Sequence, residues 1–499
     1  MYNSGEIISS MQSPVSEPKD VKVSNKINAK VSKRIIIDSE SRVILFVVLA
    51  LQLLLPNGFY LFVCMATIYL IVYNLQQPLK PGVFTVIALN HFMQIIAGVW
   101  QANYVGKDIS FRSPNMAEAT IASSIGLLFM FLPVYYYQSK LPCLRFSDLI
   151  KEAYKLSTGK VFNCYLVAFF IVQSLTPLAF LFGGLTQVIF SFIKVKWLLF
   201  LLFGYLSILK KEKRNLFYLF VVLEFLSGFY SYFSEFKTVI YFTVVLLISL
   251  IQVVNIKQVI YGSLIAACLL FFALIWTGIK GEYRAFINGG TRQQIAATSK
   301  EEALDKLYDL SNNVSEESLN SSVYQFLDRL QYTFHFAKTI ERVPAVIPFQ
   351  RGKNWSDNIE YCTTPRFLNP DKPSLDATEK AKQYTGLHYL GQKYGVSFSL
   401  GYFAECYIDF GLWGMMFPLF LIGLMYGLTY WYLMKNASRN YIFNYCVAGA
   451  FFLEFFAFEM DGTFFLGRFL ATLVTFVFLI KAFFPMIIRY ISEPQSAKK

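Results

Sequence analysis

Two carboxylates and a set of basic side chains stand where a long polar stretch meets apolar sequence, and by type they suit proton transfer and anion binding. The polar stretch lies between Ile279 and Phe398 and carries fifteen Lys and Arg against fourteen Asp and Glu. Lys280 and Arg284 open it in the run Lys280-Gly281-Glu282-Tyr283-Arg284. Arg351 and Lys353 flank Gly352 near its middle, and Arg366 and Lys372 sit in the segment TTPRFLNPDKP. Glu405 and Asp409 follow, one helical turn apart, at the start of the next apolar segment. Arg468 belongs to a further set with Glu454, Glu459 and Asp461 in the last two apolar segments. Charges at membrane depth face protein or water and find partners, so Arg468 is expected to pair with Glu454 or Asp461 across the turn at 460–462. His335 and His388 read as surface or packing groups, and His91 as a satisfied internal polar group.

The elements that must position these groups are apolar helices. Hydrophobic residues make up 55% of the 499-residue chain, mean hydropathy is +0.45, and there are 51 Phe and 32 Tyr. Repeated segments approach the roughly 20 apolar residues needed to cross a bilayer, so the fold class is an all-α polytopic membrane protein. About twelve spans are expected, at 43–56, 58–76, 83–103, 117–137, 161–184, 195–209, 215–231, 236–254, 258–279, 397–434, 441–459 and 463–487. The tenth is long enough to be bent, with Gly401, Gly411 and Gly414 as places for a break. Residues 1–42 are polar and read as a disordered tail.

The net charge of +13 does not indicate nucleic acid, because Lys and Arg cluster in short connections between apolar spans. Seven are in the N-terminal tail, five in 138–160 and four in Lys210-Lys211-Glu212-Lys213-Arg214, with Lys435 and Arg439 at another turn. With twelve spans all of these share one side. The positive-inside rule then places both termini, including 488–499, in the cytoplasm and the 280–396 loop outside. The seven Cys form no CxxC pair, and nothing visible requires a metal or another cofactor.

Within the loop, residues 300–311 and 317–342 have helical patterning, and Val323, Phe326, Leu327, Leu330, Phe334, Ala337 and Ile340 share one face. The stretch from Val343 to Lys380 is punctuated by Pro, Asn and Asp. It reads as an ordered irregular loop, a usual place for ligand-binding groups.

Its segment with Pro365, Arg366, Pro370, Asp371, Lys372 and Pro373 resembles the proline-arginine to lysine-proline segment of oligosaccharide repeat-unit polymerases, the Wzy or O-antigen polymerase family. The setting is similar too: Lys280 to Arg284 after an outgoing helix, Arg351-Gly352-Lys353 in mid-loop, and Gly401-Tyr402-Phe403-Ala404-Glu405 with Phe410-Gly411 and Gly414 entering the next. The likeness covers about residues 277–425, with the many-helix architecture extending it.

The resemblance implies a glycosyltransferase of the bacterial inner membrane that moves a growing glycan from undecaprenyl pyrophosphate onto an incoming lipid-linked oligosaccharide, building O-antigen or exopolysaccharide. Its partners would be membrane lipids, a chain-length regulator and a flippase. Arg284, Arg351 and Arg366 then suit the departing pyrophosphate, because a guanidinium fork matches phosphate oxygens. Lys280, Lys353 and Lys372 are adjuncts, and Arg468 is a further pyrophosphate candidate. Glu405 is the first choice of base for the acceptor hydroxyl and Asp409 the second. Arg284 and Lys280 also suit simple anchors at lipid headgroups. A transporter or flippase, an O-antigen ligase-like transferase and a noncatalytic envelope scaffold are the alternatives.

Overall fold

The computed structural model describes residues 36–181, 186–228, 236–290, 298–313, 316–364, 369, 372, 376–391, 397–456 and 459–493. Most of the expected N-terminal tail lies outside these, as do Pro365, Arg366, Pro370, Asp371 and Pro373. The described chain is helical, apart from two-residue strands Ile36–Ile37 and Val253–Val254 that pair in parallel.

The first part runs through α1 (Ser39–Leu51), α2 (Gly58–Leu75), α3 (Val83–Tyr104), α4 (Met116–Ser139), a short α5 (Phe146–Tyr154), α6 (Thr158–Leu181), α7 (Thr186–Leu209), α8 (Arg214–Gly228), α9 (Phe236–Ser249) and α10 (Ile256–Ile287). Five short helices follow: α11 (Lys300–Asn312), α12 (Glu316–Leu330), α13 (Thr333–Arg342), α14 (Lys353–Thr363) and α15 (Ala377–Thr385). The last part is α16 (Tyr402–Gly414), α17 (Met416–Asn436), α18 (Tyr441–Phe452), α19 (Gly462–Ala482) and α20 (Phe484–Ile491).

Among the described residues, α2, α3, α4, residues Ile189–Leu209 of α7, α10, α17 and α19 are long and apolar enough to cross a membrane. Thr158–Val172, Phe236–Ser249 and Tyr441–Phe455 are shorter apolar helices. These segments fit a membrane protein. The five short helices cap one end of the bundle, where α12 packs on α3 and α10, α13 on α4, and α14 on α19.

The tightest helix pair is α4 with α17. Gly423 and Gly427 lie four residues apart on one face, the small-residue spacing that lets membrane helices approach closely. A Cβ on Gly423 would sit 1.8 Å from the Met130 carbonyl oxygen, and one on Gly427 would sit 2.9 Å from that of Pro133.

The expected tenth span divides at Gly411, whose φ of 71° and ψ of −175° are not helical. The break falls within α16, and its residues 402–410 form a separate short helix. Its first residues reach into the bundle, where the Tyr402 hydroxyl meets His91 Nε2 at 2.5 Å and Phe403 packs beside Gly126. Its last turn meets the cap, where the carbonyls of Ile408 and Asp409 accept from the amides of Gln350 and Arg351 at 2.9 and 3.0 Å.

The patterning at 300–311 becomes α11. That at 317–342 breaks before α13, where the Tyr332 amide leaves the helix to donate to the Gln94 carbonyl at 3.0 Å. The stretch read as irregular contains α14 and α15. Asp376 caps α15 locally through the Thr378 amide. For α14, the capping carboxylate comes from α16, far along the chain, so no local sequence signal marks its start.

Candidate functional site

The helices beside one cavity of the bundle change character along their length. On α10, Leu269, Phe272, Ala273, Trp276 and Lys280 recur at helical spacing on one face, apolar until the last. On α9, Lys237 stands beside Phe236 in the first turn, and Ile240, Tyr241 and Val244 follow. The cationic start of α9 therefore stands by the cationic end of α10, and the apolar parts of both line the same space. Arg329 on α12 joins the cationic end, while Val86, Leu89 and Met93 on α3 line the wall. The cavity has a volume of about 580 Å³. From Leu269 to Lys280 the helix rises about 16 Å at 1.5 Å per residue, so the cavity is elongated, with an apolar floor and a basic rim.

The turn after α18 closes the rim. Asn90 donates to the Phe456 carbonyl at 2.8 Å, and Gln94 Nε2 donates to Glu459 Oε2 at 2.7 Å. Glu459 opens on the cavity but is crowded by protein, and that desolvation pushes its carboxyl above the ordinary value against the opposing pull of Lys237 and Gln94. Arg284 lies one turn beyond Lys280, half-buried, past the cavity lining.

Glu405 and Asp409 belong to a second constellation. Glu405 is fully buried and has four donors: the Gly462 amide at 3.1 Å, Lys380 Nζ at 3.1 Å, Asn358 Nδ2 at 2.8 Å and Asn354 Nδ2 at 3.3 Å. Lys380 also reaches Asp461 at 3.4 Å and Asn358 Oδ1 at 3.2 Å, and Thr463 Oγ1 donates to Asn358 Oδ1 at 2.7 Å. Asp461 caps α19 through the Thr463 amide. A Cβ on Gly462 would lie 2.5 Å from both Asn358 Nδ2 and Glu405 Oε2, so this close approach needs glycine.

Burial and the neighbouring Asp461 raise the Glu405 carboxyl above its usual range. Burial disfavours the Lys380 ammonium, but Glu405 and Asp461 outweigh it and hold that group above its ordinary value. The two Asp409 oxygens accept from the amides of Asn354 and Trp355 at 3.1 and 2.9 Å, giving the first turn of α14 a carboxylate at its positive end. The constellation joins α14, α15, α16 and α19, and its carboxylates face protein donors.

The other expected ligands are dispersed. Arg351 is exposed at a left-handed φ of 53°, and Lys353 is exposed and pairs with Asp357 at 3.1 Å. Lys372 closes the end of α14, donating to the carbonyls of Tyr361 and Thr364 with its ammonium 3.7 Å above the Tyr361 ring. Arg366 lies outside the described residues. Arg468 pairs with Glu454 at 3.7 Å rather than with Asp461, and Lys194 shares that carboxylate. His91 is satisfied internally by Ile87 and Tyr402, as expected. His335 packs among Tyr332, Tyr389 and Phe398.

Of the basic residues named from sequence that are among the described residues, Lys280 alone lines the cavity. Lys237, Arg329 and Gln94 were not singled out. Their signal was faint: Lys237 and Lys280 are lone cations at facing ends of consecutive apolar runs, and Arg329 interrupts the apolar face of its helix between Phe326 and Leu330.

Residues 143–491 match the family model described as a domain of unknown function, DUF8712, and the chain belongs to that family. No curated protein and no solved structure matches it.

Proposed function

We propose that the protein is a lipid-linked glycosyltransferase of the repeat-unit polymerase type. In this reading it has about twelve spans, cytoplasmic termini and the 280–396 connection at the outer face of the bacterial inner membrane. The supporting observation is the cavity: a basic rim of Lys237, Lys280 and Arg329 above an apolar trench suits a polyprenyl pyrophosphate, whose head carries the charge and whose tail is hydrocarbon. The substrate would be an undecaprenyl-pyrophosphate-linked oligosaccharide, with a flippase upstream and a chain-length regulator beside it. The rim cations, with Arg284 one turn away, stabilise the charge that develops on the departing pyrophosphate. We assign Glu405 and Asp409 the task of holding α14 and α15 on the bundle, beside the turn that carries Glu459.

A charge-assisted contact contributes about 1.5–3 kcal/mol. Lys280→Ala and Arg329→Ala should therefore each weaken binding of undecaprenyl pyrophosphate by about 10- to 100-fold. Lys353→Ala, away from the cavity, should leave it unchanged. Titration of the purified protein in nanodiscs measures this, and equal affinity in wild type and both rim variants would remove the pyrophosphate from this rim.

A transporter or flippase is the second reading. It draws on the buried pair Lys196–Glu224, 2.9 Å apart, with the Tyr165 hydroxyl donating to Glu224 at 2.7 Å, since paired charges at membrane depth also serve ion coupling. Glycan profiling of a deletion strain separates the classes. Loss of a polymerase should leave single repeat units attached to their final carrier, whereas loss of a flippase should trap lipid-linked units at the cytoplasmic face.

A further inference from the structure

We infer that Glu459 is the group that takes the proton from the acceptor hydroxyl, an assignment that rests on the reading of the cavity as a lipid pyrophosphate site. The other carboxylates near the cap are engaged by protein donors. Asp409 spends both oxygens on backbone amides, Glu405 is enclosed by four donors, Asp461 is held by Lys380 and the Thr463 amide, and Glu454 faces Lys194 and Arg468. Among the described residues, Glu459 is the acidic side chain that lines the cavity. It does so on the same rim as Lys237, Lys280 and Arg329.

That placement fits the covalent geometry of the substrate. The anomeric carbon of a lipid-linked sugar is one oxygen away from the phosphorus held by the rim, so the reacting carbon and Glu459 share the mouth of the cavity. Gln94 holds Oε2 at 2.7 Å and fixes the orientation of the carboxylate. The desolvation that raises its proton affinity makes the carboxylate a stronger base than a solvated one.

In the step, the acceptor O–H proton passes to the Glu459 carboxylate as the oxygen lone pair forms a bond to the donor's anomeric carbon. The bond from that carbon to the pyrophosphate oxygen breaks, and its electron pair stays on that oxygen. The released polyprenyl pyrophosphate carries the charge against Lys237, Lys280 and Arg329. Protonated Glu459 then gives its proton to water.

The test is Glu459→Gln with Glu459→Asp as its companion, using purified protein in nanodiscs, synthetic undecaprenyl-pyrophosphate-linked repeat units, and undecaprenyl pyrophosphate as the binding probe. A positioned base contributes about 10²- to 10⁴-fold, so Glu459→Gln should lose at least 100-fold in kcat for chain extension. Its affinity for the probe should be unchanged or tighter, because a negative charge has left the rim. The wild-type rate should fall on the acid side with a single titration. The residual rate of Glu459→Gln should lack that limb, and Glu459→Asp should restore part of both rate and limb. Wild-type extension by Glu459→Gln would overturn the assignment, as would joint loss of probe binding and extension in both variants, which would mark Glu459 as a support for the turn. Failure of the wild type to bind the probe would instead overturn the reading of the cavity, and this assignment with it.

Discussion

Gly423→Leu should leave almost no folded protein, while Gly262→Leu should leave the yield unchanged. The contrast lies in what each new Cβ meets. At Gly423 it would be 1.8 Å from the Met130 carbonyl oxygen, a backbone atom that no rotamer change can move, whereas nothing lies within 4 Å of it at Gly262. Overpacking a core side chain costs about 1–3 kcal/mol. Here two helix backbones must separate along their whole contact, so the loss is larger and reaches the aromatic layer of Phe84, Tyr426 and Phe452 packed beside it. Size-exclusion recovery from detergent extracts reads the result. A monodisperse Gly423→Leu peak at wild-type yield would mean that α4 and α17 do not approach this closely in the membrane.

Lys380→Met should destabilise the protein by about 3–5 kcal/mol, the cost of breaking a buried ion network by removing one partner. Among the described residues, the ammonium is the cation that pairs with both Glu405 and Asp461. Without it two buried carboxylates face each other, and one must take up a proton or the cap must open. The double variant Lys380→Met/Glu405→Gln removes that repulsion and should recover part of the loss, a coupling that independent sites would not show. Thermal unfolding of the detergent-solubilised protein measures both. Additive losses in the double variant would mean that the two side chains act separately.

The sequence carried the helices well because apolar runs of this length have few other solutions, and it placed the break in the tenth segment at a glycine, where Gly411 departs from helical geometry. Contacts between segments were less accessible. Glu405 was conspicuous as a carboxylate in apolar sequence, but that signals only the cost of burial. The group that offsets the cost, Lys380, comes from a punctuated loop, and Asp461 from the turn between α18 and α19. Lys372 looked like an anion ligand because lysine is a donor, yet the nearest acceptors are the carbonyls at the end of α14. Lys280 was found because it ends an apolar run. Lys237 and Arg329 acquire meaning only once α9, α10 and α12 are brought around one space.

The wall formed by α10 has a mechanical consequence. Its inward face lines the cavity with Leu269, Phe272 and Trp276, while Leu264, Leu270 and Phe271 are exposed on the outside. Its firm protein contacts are at one end, with α11 and α12. Of its 32 residues the apolar run 258–279 is about 33 Å long at 1.5 Å per residue, slightly more than a hydrocarbon core of about 30 Å. A helix longer than its bilayer tilts, and the tilt grows as the bilayer thins. With one end pinned, that tilt swings the other end toward or away from α3 and α9, so the width of the trench becomes a function of membrane thickness.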